Sequence, residues 1–153
     1  MTRHDIANDA VRQLIDRDEI TRLIYRLGVC LDEGRFDEMA AILTEDATAR
    51  TPGGEARGRD ALIAQAGRNH TADQHIQHVV TNVLITLDDD RADVRANLIA
   101  TFAATAGAAR LAPEPTFTLG EVYRFEAVRT AGGWRLSLIQ TIPVWSTGSR
   151  PRP

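Results

Sequence analysis

The order of the predicted elements limits what this chain of 153 residues can fold into more than any single motif does. Apolar residues recur at the helical period over residues 11–33, which predicts an amphipathic helix. Its apolar stripe consists of Ile20, Leu23, Ile24, Leu27 and Leu31. Gly34 is placed to end this helix as its C′ residue, and a second, shorter helix begins at Phe36. The helical part of the chain therefore comes first.

Strand-like segments dominate the second half of the chain. A short strand over 47–51 and a third helix over 60–68 separate the first helices from this region. Segments rich in β-branched residues, or bounded by turn residues, predict four strands. These strands cover residues 76–87, 92–105, 116–128 and 134–145. Residues 106–115 are rich in Ala, Gly and Pro and are expected to form a loop, with a lid as one possible role.

Leading helices and trailing strands are typical of an α+β domain, in which the helices pack against one face of the sheet. This order suggests a cone, formed by a curved antiparallel (mixed) sheet and N-terminal helices that together enclose a pocket. No repeat or linker divides the chain. We therefore expect one domain over residues 1–146 and a disordered tail over residues 147–153.

The composition excludes several function classes. With a formal net charge of −3, nothing in the sequence indicates the basic face that binding of nucleic acid would need. No apolar run approaches the roughly 20 residues that span a bilayer. Cys30 is the one cysteine, so no internal disulfide is possible and a reducing cytoplasm is the expected compartment. All 18 basic residues are arginine, which excludes catalysis through a lysine Schiff base.

Asp32 is the first candidate functional residue, and two interpretations of it are open. It lies in the last turn of the first helix, away from the apolar stripe and on the same face as Tyr25, seven residues earlier. This face either lines a cavity, with Asp32 at the rim, or carries a solvated acid beside Glu33 and Asp37. The residues alone favour the solvated acid, because most exposed acids have no specific role.

His78 begins a run that should be largely buried, and a histidine in such a strand is often a structural residue. If Asp32 reached one ring nitrogen, it would fix the tautomer and leave the other nitrogen free to take a proton. His75 would then point to the opposite face, and we expect His70 and His75 to belong to the loop before the strand. The spacing of these histidines does not match a zinc site, so no metal site is expected.

Several segments resemble SnoaL-like domains of the nuclear transport factor 2-like superfamily. The first runs from Ile20 to Asp46, with Leu31-Asp32 before Gly34-Arg35-Phe36-Asp37 and with Leu43-Thr44-Glu45-Asp46-Ala47 at its end. The others are Gly58-Arg59-Asp60-Ala61-Leu62, His78-x-x-Thr81-Asn82 and Gly133-Trp134-Arg135-Leu136. The resemblance covers about residues 10–146, and its order and spacing are more specific than any one of these motifs.

The resemblance implies an α+β cone with a deep, largely apolar pocket, commonly in dimers, and catalysis without cofactors by buried Asp, His and Tyr side chains. Members of the superfamily include ketosteroid isomerase, scytalone dehydratase, polyketide cyclases and limonene-epoxide hydrolase. Asp32 and His78 fall where dehydratase-like members place an aspartate–histidine pair. The family tyrosine falls on Leu27 here, so Tyr25 is the nearest substitute, and Asn97 is the nearest polar candidate on the strand over 95–101.

Two functions are compatible with this resemblance. The first is a cofactor-independent dehydratase, isomerase or cyclase acting on a hydrophobic oxygenated molecule such as a polyketide, steroid or terpenoid. In this hypothesis His78 is the general base and Asp32 orients it, while Tyr25, Phe36 and Asn97 contact the substrate. The alternative is a non-catalytic small-molecule-binding or accessory subunit, as in ring-hydroxylating dioxygenases. The expected partners are the hydrophobic ligand and a second copy in a homodimer.

Overall fold

A computed structural model describes residues 3–68, 70, 74–104 and 112–149 of the chain. The helical elements are the α-helix α1 (Arg3–Glu33), the 3-10 helix η1 (Phe36–Ala41) and the α-helix α2 (Arg59–Arg68). The strands are β1 (Leu43–Thr51), β2 (Gly54–Arg57), β3 (Gln74–Asp88), β4 (Arg91–Ala104), β5 (Glu114–Thr130) and β6 (Gly133–Gly148). The predicted sequence of helices followed by strands is therefore confirmed.

The strands form one six-stranded mixed sheet in the order β2-β1-β6-β5-β4-β3. The pair β1–β6 is parallel and all other neighbouring strands are antiparallel. The sheet curls without closing, which confirms the predicted α+β cone. Among the helices in the described ranges, none is long and apolar enough to cross a membrane.

Helix α1 is attached to the sheet by the predicted apolar stripe, of which Ile20, Ile24 and Leu27 are almost completely buried. Complete burial of such a side chain contributes about 1.5–3 kcal/mol. The helix ends at Gly34, as predicted, where φ is +67°. The backbone N–H of Arg35 donates to the Cys30 carbonyl oxygen at 2.9 Å, as in a Schellman motif. This fixed end sets the orientation of the last turn of α1.

Three local expectations are corrected by the structure, and parts of two others lie outside the described residues. Residues 36–41 form a 3-10 helix and not an α-helix, and His75 lies within β3 and not in the loop before it. Strand β6 continues through Gly148, where Thr147 is paired with Thr118, so these residues do not belong to a tail. Most of the predicted loop, residues 106–111, lies outside the described residues, as do residues 150–153 of the predicted tail.

A β-bulge in β3 determines which side chains face the helices. Before the bulge, Ile76, His78 and Val80 are the less exposed positions of the strand. The register with β4 shifts between Thr81 and Leu84, and Asn82 has a φ of +53°. Asparagine adopts this left-handed region more readily than most residues. The extra residue shifts the alternation of the strand by one position. His78 before the bulge and the apolar side chains after it therefore both face inward.

Candidate active site

The inner face of the sheet, together with α1, η1 and α2, encloses a cavity of about 210 Å³. Its wall is mainly apolar, with contributions from Leu27, Leu31, Phe36, Met39, Leu62, Leu98, Phe102, Leu119 and Ile139. Seven polar side chains interrupt this wall, namely Thr51, Gln65, His70, His78, Glu121, Tyr123 and Thr141. An apolar cavity with a few convergent polar groups is the usual form of a small-molecule site.

Asp32 and His78 are in direct contact at this cavity. Nδ1 of His78 lies 2.6 Å from Oδ1 of Asp32, and the backbone N–H of His78 donates to the same oxygen at 2.9 Å. The side chains are 11% exposed for His78 and 24% exposed for Asp32. A carboxylate can only accept, so the ring nitrogen at Nδ1 carries the hydrogen. The neutral ring then keeps its lone pair on Nε2, which is the arrangement of a general base.

The contact between α1 and β3 explains how the pair forms. A Cβ on Gly28 would lie 3.7 Å from Cβ of His78, so the helix backbone passes directly over this strand. Asp32 follows Gly28 by one helical turn and is therefore on the same face of the helix. The small residue brings the two backbones together, and the acid one turn later reaches the histidine.

The position of Asp32 is not favourable for the helix itself. A negative charge in the last turn of a helix opposes the macrodipole, at a cost of about 0.3–1 kcal/mol. The two hydrogen bonds from His78 offset this cost. Functional sites commonly contain a residue that is unfavourable for its own secondary structure and is stabilised by a partner elsewhere in the fold.

Tyr123 adds a hydroxyl group to the cavity. Its side chain is buried on the inner face of β5, where Tyr123 pairs with Ala96 on one side and Thr141 on the other. Burial raises the pKa of this phenol well above its usual range. The hydroxyl therefore keeps its proton at any ordinary pH and is available as a hydrogen-bond donor.

Of the remaining candidate residues, only Phe36 lines the cavity. Phe36 lines the cavity and makes an edge contact with the ring of His70, with the centroids 5.2 Å apart. Tyr25 is half exposed and does not line the cavity. The shared helix face was correctly predicted, but seven residues at 1.5 Å each place Tyr25 about 10 Å from Asp32 along the axis.

Asn97, like Tyr25, does not line the cavity. Its neighbours Ala96 and Leu98 are buried on the inner face of β4, and successive side chains of a strand point to opposite faces. Asn97 therefore lies on the outer face of the sheet, where its Oδ1 accepts a hydrogen bond from Arg95 Nη1 at 2.6 Å. It has no access to the cavity, and the expected contact with substrate is wrong.

Sequence reasoning missed Glu121 and Tyr123, although the sequence contains a signal for both. Phe117, Leu119, Tyr123 and Phe125 alternate along β5 as an apolar inner face, and Glu121 falls on the same alternation. An acid at a position that the pattern predicts to be buried is a candidate functional residue.

Cys30 is buried, as predicted, and burial raises the pKa of its thiol. A raised pKa keeps the sulfur protonated and unreactive, which agrees with a core residue. Within the described part of the chain, no three His, Cys, Asp or Glu side chains are grouped closely enough to hold a metal ion.

Comparison with protein families gives one match. The family model for the SnoaL-like domain matches residues 12–139, which includes both members of the Asp32–His78 pair. No curated protein matches the chain.

Known structures with the same fold are numerous, at low sequence identity. The Kfla4162 protein from Kribbella flavida is 26% identical, with a TM-score of 0.77, over 88% of this chain and 95% of that one. A protein from Novosphingobium aromaticivorans, provisionally named a scytalone dehydratase, is 22% identical, with a TM-score of 0.77, over 92% and 91%. A hexachlorocyclohexane dehydrochlorinase, LinA type 2, is 18% identical, with a TM-score of 0.77, over 92% and 93%.

Proposed function

The chain belongs to the SnoaL-like domain family, and we propose that it is a cofactor-independent enzyme that eliminates water or a similar leaving group from a small apolar carbonyl compound. The observation that carries this proposal is the contact of His78 Nδ1 with Asp32 at 2.6 Å in the wall of a mainly apolar cavity.

In the proposed reaction, Nε2 of His78 removes a proton from the carbon next to the carbonyl group. The Asp32 carboxylate holds the ring in the required tautomer and stabilises the imidazolium that forms. The Tyr123 hydroxyl donates to the carbonyl oxygen as negative charge develops on it. The leaving group then departs from the adjacent carbon and a carbon–carbon double bond forms.

The size and polarity of the cavity support a small apolar substrate. Its volume of about 210 Å³ is below the range of roughly 300–1,000 Å³ that is typical of drug-sized ligands. The wall provides many aliphatic and aromatic contacts but few polar ones. In such apolar surroundings, hydrogen bonds to the substrate are stronger than in bulk solvent.

The comparisons support elimination among the reactions that the fold accommodates. A dehydratase removes water and a dehydrochlorinase removes hydrogen chloride, and both names occur among proteins with this fold. Both reactions need a base for one proton and a route for the leaving group. Isomerase and cyclase reactions begin with the same proton removal and remain alternatives for the same residues.

A binding or accessory role is the alternative function. It would be favoured by a cone filled with apolar side chains, or by a His78 bonded only to backbone. The cone contains about 210 Å³ of space that side chains do not fill, and His78 is hydrogen-bonded to a carboxylate. These two observations support the enzyme over the accessory subunit.

The proposal is tested with the β-hydroxy ketone formed from benzaldehyde and acetone, whose dehydration to benzylideneacetone is followed by absorbance. Wild-type protein should accelerate the reaction, and His78→Gln should lose the acceleration while its thermal unfolding is unchanged. Asn97→Ala, on the outer face, is the matched control and should retain the wild-type rate. A His78→Gln rate equal to that of the wild type would rule out the assigned base.

A further inference from the structure

Glu121 is a buried acid in the cavity wall. It is 8% exposed, and it lines the cavity between Leu119 and Tyr123 on the inner face of β5. Proton removal as proposed involves Asp32, His78 and Tyr123, and Glu121 has no role in it.

An irregularity in the sheet accompanies this acid. Gly120 pairs with Trp145 and Glu121 pairs with Pro143, so β6 contains one extra residue, Val144, at this point. Proline has no N–H to donate to β5. The indole ring of Trp145 occupies the space where a Cβ of Gly120 would lie, at 2.2 Å from that position. Bulges of this kind redirect side chains and are common beside active sites.

The strand register places Glu121 across the cavity from His78. His78 pairs with Ala100 on β4, and Glu121 pairs with Leu98 on the same strand. One strand separates the two residues, and their partners on β4 are two positions apart, which corresponds to about 12 Å between their backbones. Ala100 is the smallest inward residue between them, so a substrate of a few carbon atoms can contact both side chains.

We propose that Glu121 is a second catalytic residue of this cavity, which donates a proton to the departing oxygen while His78 takes the proton from carbon. This inference rests on the proposed elimination. It specifies the leaving group: a hydroxyl or similar oxygen that must be protonated before it departs as water. A carboxyl group that lies within reach of the leaving oxygen can donate this proton as a general acid.

The proposed step balances in atoms and charge. The bond from carbon to hydrogen breaks and its proton moves to Nε2 of His78, while the carbon–oxygen bond breaks and the oxygen takes a proton from Glu121. The products are an enone and one water molecule. Imidazolium and carboxylate remain, and transfer of one proton between them, through solvent after product release, restores the starting state.

The test compares two leaving groups in the same carbon skeleton. The β-hydroxy ketone from benzaldehyde and acetone needs an acid, whereas its β-chloro analogue does not, because chloride departs as a stable anion. Glu121→Gln should lower kcat for the hydroxy compound by about 10²–10⁴-fold and that for the chloro compound by less than about 3-fold. His78→Gln should lower both.

Glu126→Gln is the matched control, because Glu126 is on the same strand but pairs with Arg91 at 3.6 Å. Glu121→Asp keeps a carboxyl group and replaces the Gln variant if that variant does not fold. It should also lower kcat for the hydroxy compound more than kcat for the chloro compound. Equal effects of the Glu121 variants on both compounds would overturn this inference. Absence of wild-type turnover with both compounds would instead overturn the proposed function on which it rests.

Discussion

Asp16 should be the acid on which the fold depends most, and replacing it with alanine tests this. Its carboxylate is buried, and it accepts hydrogen bonds from Arg129 at 2.9 and 2.8 Å and from Trp134 Nε1 at 3.0 Å. These contacts attach α1 to the start of β6. Trp134 is itself completely buried, with the Arg129 guanidinium above its ring.

The expected loss of stability follows from the contacts that Asp16→Ala removes. A buried indole N–H left without an acceptor costs about 1–3 kcal/mol. Arg129 is one-third exposed and keeps its contact with Asp90 at 2.8 Å, so the lost ion pair adds only about 0.5–1 kcal/mol. The sum is about 1.5–4 kcal/mol, which for a chain of this size corresponds to a decrease in Tm of roughly 3–16 °C.

Thermal and urea unfolding measure this loss against a control on the same helix. Asp18 forms an exposed ion pair with Arg22 at 2.8 Å, and Asp18→Ala should cost less than about 0.5 kcal/mol. An Asp16→Ala variant no less stable than Asp18→Ala would refute the reasoning.

The pH dependence of stability provides a second readout of Asp16. Hydrogen bonds from Arg129 lower the pKa of Asp16 in the folded state, against the opposing effect of burial. Its stabilising contribution is therefore complete above the unfolded-state pKa of about 3.9 and is lost as the pH falls through the lower, folded-state pKa. The difference in unfolding free energy between wild type and Asp16→Ala should shrink in that acidic range.

Three further predictions concern the site and the assembly. Asp32→Asn removes a charge from the C-terminus of a helix, so its free energy of unfolding should lie within about 1 kcal/mol of the wild-type value. Turnover of the β-hydroxy ketone should fall by at least about 10²-fold, and an unchanged rate would contradict the orienting role of Asp32. Tyr123→Phe should lower kcat by about 10²–10³-fold with little change in KM, and a rise in KM alone would indicate binding without transition-state stabilisation. The expected homodimer would cover exposed outer-face residues such as Val79, Ile99 and Trp145. Sedimentation equilibrium should give twice the chain mass of 16.8 kDa for the wild type and a lower mass for Trp145→Glu. A monomeric wild type would contradict the homodimer.

The sequence was most informative where the determinants are local. The apolar stripe of α1 and its glycine C′ residue predicted the orientation and end of the helix, because both depend on residues within a few positions of each other. The contact of Asp32 with His78 joins residues separated by 46 positions, and the resemblance to a family, rather than the pattern, made it an expectation.

Strand faces were harder to predict, because the outer face of the sheet also carries apolar residues. Ile99 lies on the outer face beside Asn97, so the inward and outward positions of β4 are not distinguished by polarity. Bulges add a further difficulty, since one extra residue near Asn82 or at Val144 reverses the alternation that follows.

Exchange of carbon-bound protons in a ketone that has no leaving group tests the central claim most directly. Benzylacetone can lose a proton next to its carbonyl group but cannot eliminate, so proton NMR in deuterium oxide isolates the step assigned to His78. The account predicts that wild-type protein accelerates loss of this proton signal and that His78→Gln does not. If benzylacetone binds and wild type and His78→Gln exchange it at the same rate, the acid–base role of the Asp32–His78 pair is contradicted.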